Sequence, residues 1–422
     1  MRAVRAKPYL HYIFSVPALL FLTLVGPLLL FGIGTQADFI IFYGAGRILR
    51  GPQRAQLYEY AVEQEVQQSF TNHPEPMVFN HPAFEALLFV PLSFFSFRAA
   101  FLIWTYFSLC VLGLSIYLLR KYIPPLGLPE RLLLLMFFLY PFLDSLLQGQ
   151  DSMLILLSYA LAVVALKQEK QFLAGLALSL AMIKPQLVLP FLAISFLSVP
   201  RKFAMGFAAG CAALAGVSAA IVGWRATWNY PRMLLGMNTE AGRKEFHINP
   251  FVMPNLRGFA SYAFDHRISP SAVAAIIALV SIAVILIEMK ACRNALNEAA
   301  QSFERDLSLA LLVTLVVSFH LLLHDLCLAL VPVLLLLSRA SGAAWDARKL
   351  FLYGSIASFF AAGVVMTSAG SSSYSLFLIP LVSLIAAVHL YRTPWFGAAK
   401  SDAYGQIFST DRASRLPQMV QD

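Results

Sequence analysis

The sequence predicts an all-α, polytopic membrane protein with about twelve transmembrane helices. Hydrophobic residues make up 59% of the 422-residue chain and charged residues only 13%, whereas soluble domains contain about 25% charged residues. The mean hydropathy is +0.71, and the apolar residues are concentrated in runs separated by shorter polar segments. These observations indicate a chain that is embedded in a bilayer.

The first predicted helix follows Arg2, Arg5 and Lys7 and covers residues 13–33. At roughly 20 residues it can span the bilayer and exceeds the apolar part of a signal peptide, so we interpret it as an uncleaved helix. Cleavage near Thr35-Gln36-Ala37 is the alternative. Further apolar runs cover 99–119, 131–147, 152–167, 171–183, 186–198, 203–222, 271–289, 307–322, 324–338, 350–367 and 374–391.

The distribution of basic residues predicts that both termini are cytoplasmic. With that orientation the four short outer turns contain one basic residue, Lys184. The inner segments contain Arg120, Lys121, Arg131, Lys167, Lys170, Arg201, Lys202, Lys290, Arg293, Arg305, Arg339, Arg348 and Lys349. This bias is the one that the positive-inside rule describes. This alternation of inner and outer segments requires that residues 82–97 do not cross the membrane. We therefore expect this segment, which Pro91 interrupts, to form an interfacial or re-entrant helix.

The chain is expected to form one transmembrane domain, 1–395, followed by a polar cytoplasmic tail, 396–422, that is expected to be disordered. Long outer loops cover 34–98 and 223–270, and the periodic stretch 57–70 within the first predicts a helix at the membrane surface. The net charge of +9 reflects basic cytoplasmic loops rather than a nucleic-acid partner. The four cysteines have neither metal-ligand nor disulfide spacing.

Short spans predict that several polar turns lie below the outer membrane surface. Spans 171–183 and 186–198 have 13 residues each and reach only about 20 Å, against a hydrocarbon core of about 30 Å. Their shared turn is Lys184-Pro185-Gln186, and the same reasoning applies to the turn from Gln148 to Asp151 and to the turn from His320 to Asp325. Non-helical backbone at that depth must be buried in protein or line a wet cavity. We therefore predict a polar cavity that opens to the outer face.

Each polar group also has a structural interpretation. Lys184 could be an ordinary helix-end lysine that extends to the surface. The amides of Gln148 and Gln150 could stabilise helix packing. His320 and His324, four residues apart and expected on one helical face, could bind a metal or belong to a buried hydrogen-bonded network with Asp325. The sequence supplies no identifiable third metal ligand near them.

The outer loops add further candidate residues. Asp38 follows the first helix and could cap the helix that begins with Phe39, or it could act at the site. Asn255 and Arg257, in "NPFVMPNLRGF", could form an ordinary loop or help to bind a polar ligand.

An ordered set of segments resembles glycosyltransferase family 87, the polyprenyl-phosphate-mannose-dependent mannosyltransferase-like proteins with the type C membrane fold. The resemblance extends over about residues 37–335. One departure is Asn80-His81-Pro82, where many members have Tyr-Pro-Pro, so the acceptor preference of the family is not transferred. The segments are "ADFIIFYGAGRIL", "HPAFEALLFVPLSFFSFRAAFLIW", "LLQGQDSMLILL", "AGLALSLAMIKPQLVLP" and "LLLHDLCLALVP".

The resemblance implies an enzyme that takes a single sugar from a polyprenyl-phosphate carrier on the outer face of the bacterial cytoplasmic membrane. The acceptor would be a lipid or glycan, and mannose is the sugar typical of the family. By this similarity Asp38 would be the general base, and Lys184 would meet the carrier phosphate. His324 is the alternative base, because its imidazole could take the same proton. Further residues expected to line the substrate site are Tyr43, His81, Gln148, Gln150, Asp151, Gln186, Asn255, Arg257, His320 and Asp325.

Two other classes of function remain open. A transporter or flippase would place broken helices around a central path, although the polar turns here are predicted on one side and no inverted repeat is evident. A lipid-linked glycan ligase or polymerase would share the architecture. The sequence predicts no cofactor and leaves the need for a divalent metal open.

Overall fold

The computed structural model describes, apart from a few isolated positions, residues 38–71, 77–122, 126–195, 200–237, 248–264, 267–295, 303–341, 344–369 and 371–391. Within these ranges all regular structure is α-helical or 3₁₀-helical. The predicted first helix, 13–33, and the polar tail, 396–422, lie outside the described residues.

The α-helices are numbered here in chain order. They are α1 Phe39–Arg50, α2 Tyr60–Gln68, α3 Ala83–Ala86, α4 Phe97–Leu119, α5 Leu128–Gln148, α6 Ser152–Lys167, α7 Gln171–Ser179, α8 Leu189–Ser195, α9 Arg201–Val222, α10 Trp224–Met237, α11 Leu256–Ala263, α12 Pro270–Ala295, α13 Phe303–Val317, α14 Leu330–Ala340, α15 Ala347–Ala369 and α16 Leu378–Leu390.

Five helices in the described part of the chain are long and apolar enough to cross a membrane. They are Phe97–Leu119, Arg201–Val222, Pro270–Cys292, Leu323–Ala340 and Ala347–Ser368. The shorter apolar helices are Ser152–Lys167, Gln171–Ile183, Pro185–Ser195 and Tyr374–Leu390. The chain is therefore an all-helical, multi-pass membrane protein, and the predicted number of twelve spans is not reached among these residues.

The exposed side of α12 is apolar. Leu279, Ile282 and Ile287 are 68%, 55% and 63% exposed, and exposed apolar surface of this kind is typical of a membrane or protein contact. Polar surroundings would not suit this helix, so its outer side is best accommodated by lipid.

Residues 82–97 form no continuous helix. The segment consists of α3, a 3₁₀-helix at Leu87–Phe89 and another at Leu92–Phe94, before α4 begins at Phe97. These helices have three or four residues each, and at about 2 Å rise per 3₁₀ residue none is long enough to cross the bilayer. In the preceding outer segment, α2 covers Tyr60–Gln68 and buries Val62, Glu63 and Gln67.

The helix breaks differ in part from the prediction. A break occurs at Lys184, between 3₁₀-helices at Leu180–Ile183 and Pro185–Leu187. However, α5 has 21 residues, so at about 31 Å it is not a shortened span. The third break lies earlier than predicted, because α13 ends at Val317 and a 3₁₀-helix resumes at Leu323.

The expectation that His320 and His324 share one helical face is wrong. Residues 318–322 are not helical, and His324 lies in the new 3₁₀-helix at Leu323–Ala329. The spacing of four residues therefore does not place the two imidazoles one turn apart.

Glycines allow two helices to approach closely beside the break at Lys184. A Cβ added to Gly175 of α7 would lie 2.0 Å from the Phe203 carbonyl oxygen of α9, and one added to Gly206 of α9 would lie 2.0 Å from the Phe172 carbonyl oxygen of α7. Both distances are far shorter than any real carbon contact. The backbone contact between α7 and α9 therefore depends on these glycines, and it supports the segment that leads to Lys184.

Candidate active site

The Lys184 ammonium contacts polar groups from the turn after α5 and from the 3₁₀-helix at Leu323–Ala329. Its Nζ donates to Gln150 Oε1 at 3.1 Å and to Asp325 Oδ1 at 2.7 Å, and it lies 2.9 Å from Asp151 Oδ1. We call Gln150, Asp151, Lys184 and Asp325 the Lys184 cluster. Its carboxylates are buried, and the ammonium has as many oxygen partners as N–H donors. Lys184 is therefore a buried ion-paired residue and does not extend to the surface.

The tight turn after α5 positions Gln150 and Asp151. Gly149 has a φ of +70°, a left-handed conformation that favours glycine. A Cβ here would lie 2.7 Å from Phe39 Cβ and 2.8 Å from the Phe101 ring, and the Gly149 carbonyl accepts from Trp104 Nε1 at 2.8 Å. The turn is thus held directly against the start of α1.

Asp38 precedes α1 and faces the Lys184 cluster. Its Oδ2 accepts from Gln150 Nε2 at 2.6 Å, and it also interacts electrostatically with His324, Asp144 and Lys184. The side chain makes no helix-capping hydrogen bond. The capping interpretation is therefore wrong, and the half-buried carboxylate instead faces the polar groups.

His324 is held between two carboxylates. Its Nδ1 lies 3.2 Å from Asp144 Oδ2 on α5, and its Nε2 lies 3.6 Å from Asp325 Oδ1. Asp325 also accepts from the Leu322 backbone N–H at 3.0 Å, which fixes the start of the 3₁₀-helix. The imidazole has restricted orientation as a result.

A second group of titratable side chains lies next to the Lys184 cluster. His81 Nδ1 is 2.7 Å from Glu85 Oε2 and 3.6 Å from Asp151 Oδ2. All three side chains are buried. Asp151 therefore contacts both Lys184 and His81.

Asn255 and Arg257 support the break between α13 and Leu323. Asn255 caps α11 by accepting from the Arg257 and Gly258 backbone N–H groups, and its Nδ2 donates to the Ser318 carbonyl at 2.6 Å. Arg257 donates through Nη1 to the Phe319 carbonyl. Asn255 is fully buried, so its amide positions the polypeptide that carries His320. Arg257 also lies close enough to His320 to interact with it electrostatically.

The remaining predicted residues are not hydrogen-bonded to the Lys184 cluster. Tyr43 donates to the Phe95 carbonyl at 2.8 Å, away from it. The side chains of Gln148 and Gln186 are half-buried and form no hydrogen bond to another described residue. His320 interacts electrostatically with Asp325, Arg257 and Lys184.

The segment that leads to His81 is fixed by a buried carboxyl group in the first outer loop. Glu63 of α2 accepts from the Phe79 backbone N–H at 3.0 Å. Burial raises the pKa of Glu63 to about 8, and the hydrogen bond from Phe79 opposes that rise. Tyr58 also donates to the His81 carbonyl at 3.0 Å. These bonds restrict residues 79–81 before α3 begins.

Sequence reasoning missed two residues of the site. Asp144 was overlooked inside the apolar run 131–147, although an ionisable residue in such a run is a functional candidate in its own right. Glu85 was overlooked although it lies four residues after His81, the spacing that joins side chains on a helix.

The fold and the site together define a multi-pass membrane protein with a buried, charge-rich site formed at helix breaks. The model of glycosyltransferase family 87 matches residues 79–319, more than half of the chain, and the chain belongs to this family. No curated protein and no solved structure matches it. Membership of the family indicates glycosyltransferase activity.

Proposed function

We propose that this protein transfers a single sugar, most simply mannose, from a polyprenyl-phosphate carrier to a lipid or glycan acceptor at the outer face of the cytoplasmic membrane. The observation that carries the proposal is the placement of Asp38. It is a partly exposed carboxylate that is free of a capping role and directed towards a buried cluster of charges. The family assignment supports the sugar transfer itself.

The chemistry requires one proton acceptor and stabilisation of one leaving anion. The acceptor hydroxyl attacks the anomeric carbon, the new C–O bond forms, and the bond to the carrier phosphate breaks. The hydroxyl proton passes to Asp38 in this proposal, and the polyprenyl phosphate leaves as an anion that nearby positive charge stabilises. The prenyl chain would remain in the bilayer.

Lys184 cannot meet that phosphate while it keeps all its present partners. Gln150, Asp151 and Asp325 already surround the ammonium. We therefore propose that donor binding displaces one of them, and that the nearby Arg257 and His320 contribute to holding the phosphate.

The test incubates the purified protein in detergent with separate polyprenyl-phosphate sugars and candidate acceptors, and identifies products by mass. A transferase acts without a membrane gradient and adds one sugar. A product with several sugars, or release of a polyprenyl diphosphate, would indicate a ligase or polymerase. Transport between two compartments with no covalent product would contradict the proposal.

The role of Asp38 is tested by Asp38→Asn, which removes the basic charge at constant size. We expect turnover to fall at least about 100-fold, the low end of what a general base contributes, while donor binding is kept. Near-normal turnover in Asp38→Asn combined with loss in His324→Gln would assign the base to His324.

A further inference from the structure

Two side chains beside the Lys184 cluster, His81 and Glu85, converge with Asp151 of that cluster in an arrangement that the proposed sugar transfer does not use. One nitrogen of His81 and one oxygen each of Glu85 and Asp151 all lie within 4.8 Å of one another. His81 is 5% exposed, and Glu85 and Asp151 are 0% exposed. This three-residue group is thus buried, and it is formed by Glu85 of α3, by His81 two residues before α3 and by the turn after α5.

The two carboxyl groups lie in hydrogen-bonding contact with each other, which requires either a shared proton or a cation between them. Glu85 and Asp151 interact side chain to side chain, yet Glu85 Oε1 has no hydrogen-bond partner in the part of the chain that the structure describes. Buried carboxylates that touch repel each other unless a cation or a shared proton separates them. An unsatisfied buried carboxylate oxygen is costly.

The neighbouring groups do not offset the negative charge of the two buried carboxylates. Lys184 is the cation nearest to Asp151, but it is shared with Asp325. The hydroxyl of Tyr230 is also buried without a hydrogen-bond partner among described residues, and Tyr230 interacts electrostatically with Glu85 and Asp151. A cation at the three side chains would satisfy the Glu85 oxygen and offset the excess negative charge.

The donor set indicates the class of cation. One imidazole nitrogen with two carboxylate oxygens suits Zn²⁺ or Mn²⁺, whereas Ca²⁺ and Mg²⁺ favour oxygen ligands alone. The imidazole is already oriented, because Tyr58 donates to the His81 carbonyl and the Phe42 ring packs edge-on against the imidazole at a centroid distance of 4.9 Å. A metal would take the place of the proton that His81 and Glu85 now share.

We propose that His81, Glu85 and Asp151 bind a divalent first-row metal ion, Mn²⁺ or Zn²⁺. Asp151 then connects the ion to Lys184, so that the ion fixes one partner of the ammonium. The proposal concerns binding and does not depend on which sugar, if any, the protein transfers.

The experiment measures binding directly in the full-length, detergent-purified protein after treatment with EDTA and removal of the chelator. Mn²⁺ is titrated and its free form followed by electron paramagnetic resonance, and Zn²⁺ is measured by elemental mass spectrometry after dialysis. We expect saturable binding of one of these ions and a metal-dependent rise in melting temperature. Glu85→Gln should weaken binding at least about tenfold.

Glu288→Gln is the matched control. Glu288 is another buried carboxylate beside an imidazole, with Oε1 3.0 Å from His389 Nε2, but it belongs to no three-ligand group among the described residues. This variant should bind the ion as the wild type does. His81→Gln provides a second ligand variant if Glu85→Gln does not elute as a folded protein.

Two results would overturn the proposal. Absence of saturable binding of both ions to the wild type, whatever the variants do, would mean that a shared proton separates the carboxyl groups. Equal binding by the wild type, Glu85→Gln and His81→Gln would place the ion elsewhere.

Discussion

At the scale of single residues, Lys184 balances the charge of two buried carboxylates. It lies 2.9 Å from Asp151 and 2.7 Å from Asp325. Removal of one partner of a buried ion pair typically costs about 3–5 kcal/mol, because the other charge is left uncompensated. A variant that loses Lys184 therefore loses stability as well as any contact with a donor.

We accordingly expect Lys184→Ala to lower the melting temperature and the yield of folded protein. The double variant Lys184→Met with Asp325→Asn should recover part of the stability, because it removes a negative charge together with the ammonium. Thermal unfolding of the detergent-purified proteins measures both effects. A fully stable Lys184→Ala protein would show that the ion pairs contribute little.

Asp144 provides a test of how His324 acts. Its carboxylate holds His324 Nδ1 at 3.2 Å, so in the proposed mechanism it positions the imidazole and has no part in proton abstraction. We expect Asp144→Asn to reduce turnover by less than about tenfold, well below the effect of losing the general base. Its pH profile should match that of the wild type. A loss as large as that of Asp38→Asn, with a shifted profile, would favour His324 as the base.

Most residues of the Lys184 cluster could be predicted from the sequence, because a charged or amide side chain in an apolar stretch is conspicuous. Lys184, Gln150 and Asp325 were identified in this way, and the structure brings them together. Tyr43 and Asn255 were expected at the substrate, but they bind backbone carbonyl groups of supporting segments. Sequence alone does not show whether a polar side chain forms hydrogen bonds to the backbone or faces a cavity.

At the scale of elements, the turn between α5 and α6 connects Asp38 to the Lys184 cluster. Gly149→Ala would force a left-handed backbone on alanine and bring its Cβ to 2.7 Å from Phe39. Strained backbone of this kind costs about 1–3 kcal/mol. We expect lower thermal stability and a marked fall in turnover, because Gln150 would move away from Asp38.

Gly354→Ala in α15 is the control for this prediction. A Cβ at Gly354 meets no atom within 4 Å, and alanine within a helix is favoured over glycine by about 0.5–1 kcal/mol. This variant should be at least as stable as the wild type, with unchanged turnover. Similar behaviour of the two variants would show that the turn does not depend on glycine.

The positions of helix breaks could be predicted only in part. Pro185 directly follows a lysine in an apolar run, and the helix breaks there. The break at 318–322 carries no proline or glycine, so its position depends on tertiary contacts from Asn255 and Arg257. Such contacts lie far along the chain and leave no local pattern in the sequence.

At the scale of the whole molecule, the hydropathy of the sequence predicted the class of protein well. It predicted the number of membrane crossings less well. α5 has 21 residues but includes Glu130, Arg131 and Asp144, and it is not among the five helices that are apolar enough to span. Internal charges lower the hydropathy of helices that line a polar site. Breaks such as that at Lys184 divide others into short pieces.

Two exposed positions lie on opposite sides of the membrane if the chain crosses it an odd number of times between them, and on the same side if that number is even. Ala55 lies in the first outer segment and Ala344 between α14 and α15, and both are exposed. The predicted order places nine crossings between them, since 82–97 does not cross. An impermeant thiol reagent applied to intact cells should therefore label Ala55→Cys and leave Ala344→Cys unlabelled.

The unsubstituted protein is the control for the native cysteines, two of which are half-buried and two buried. Labelling of both positions would mean an even number of crossings, as a spanning 82–97 segment would give. Labelling of Ala344→Cys alone would place Asp38 and the Lys184 cluster at the cytoplasmic side, where a donor presented on the outer face could not reach them.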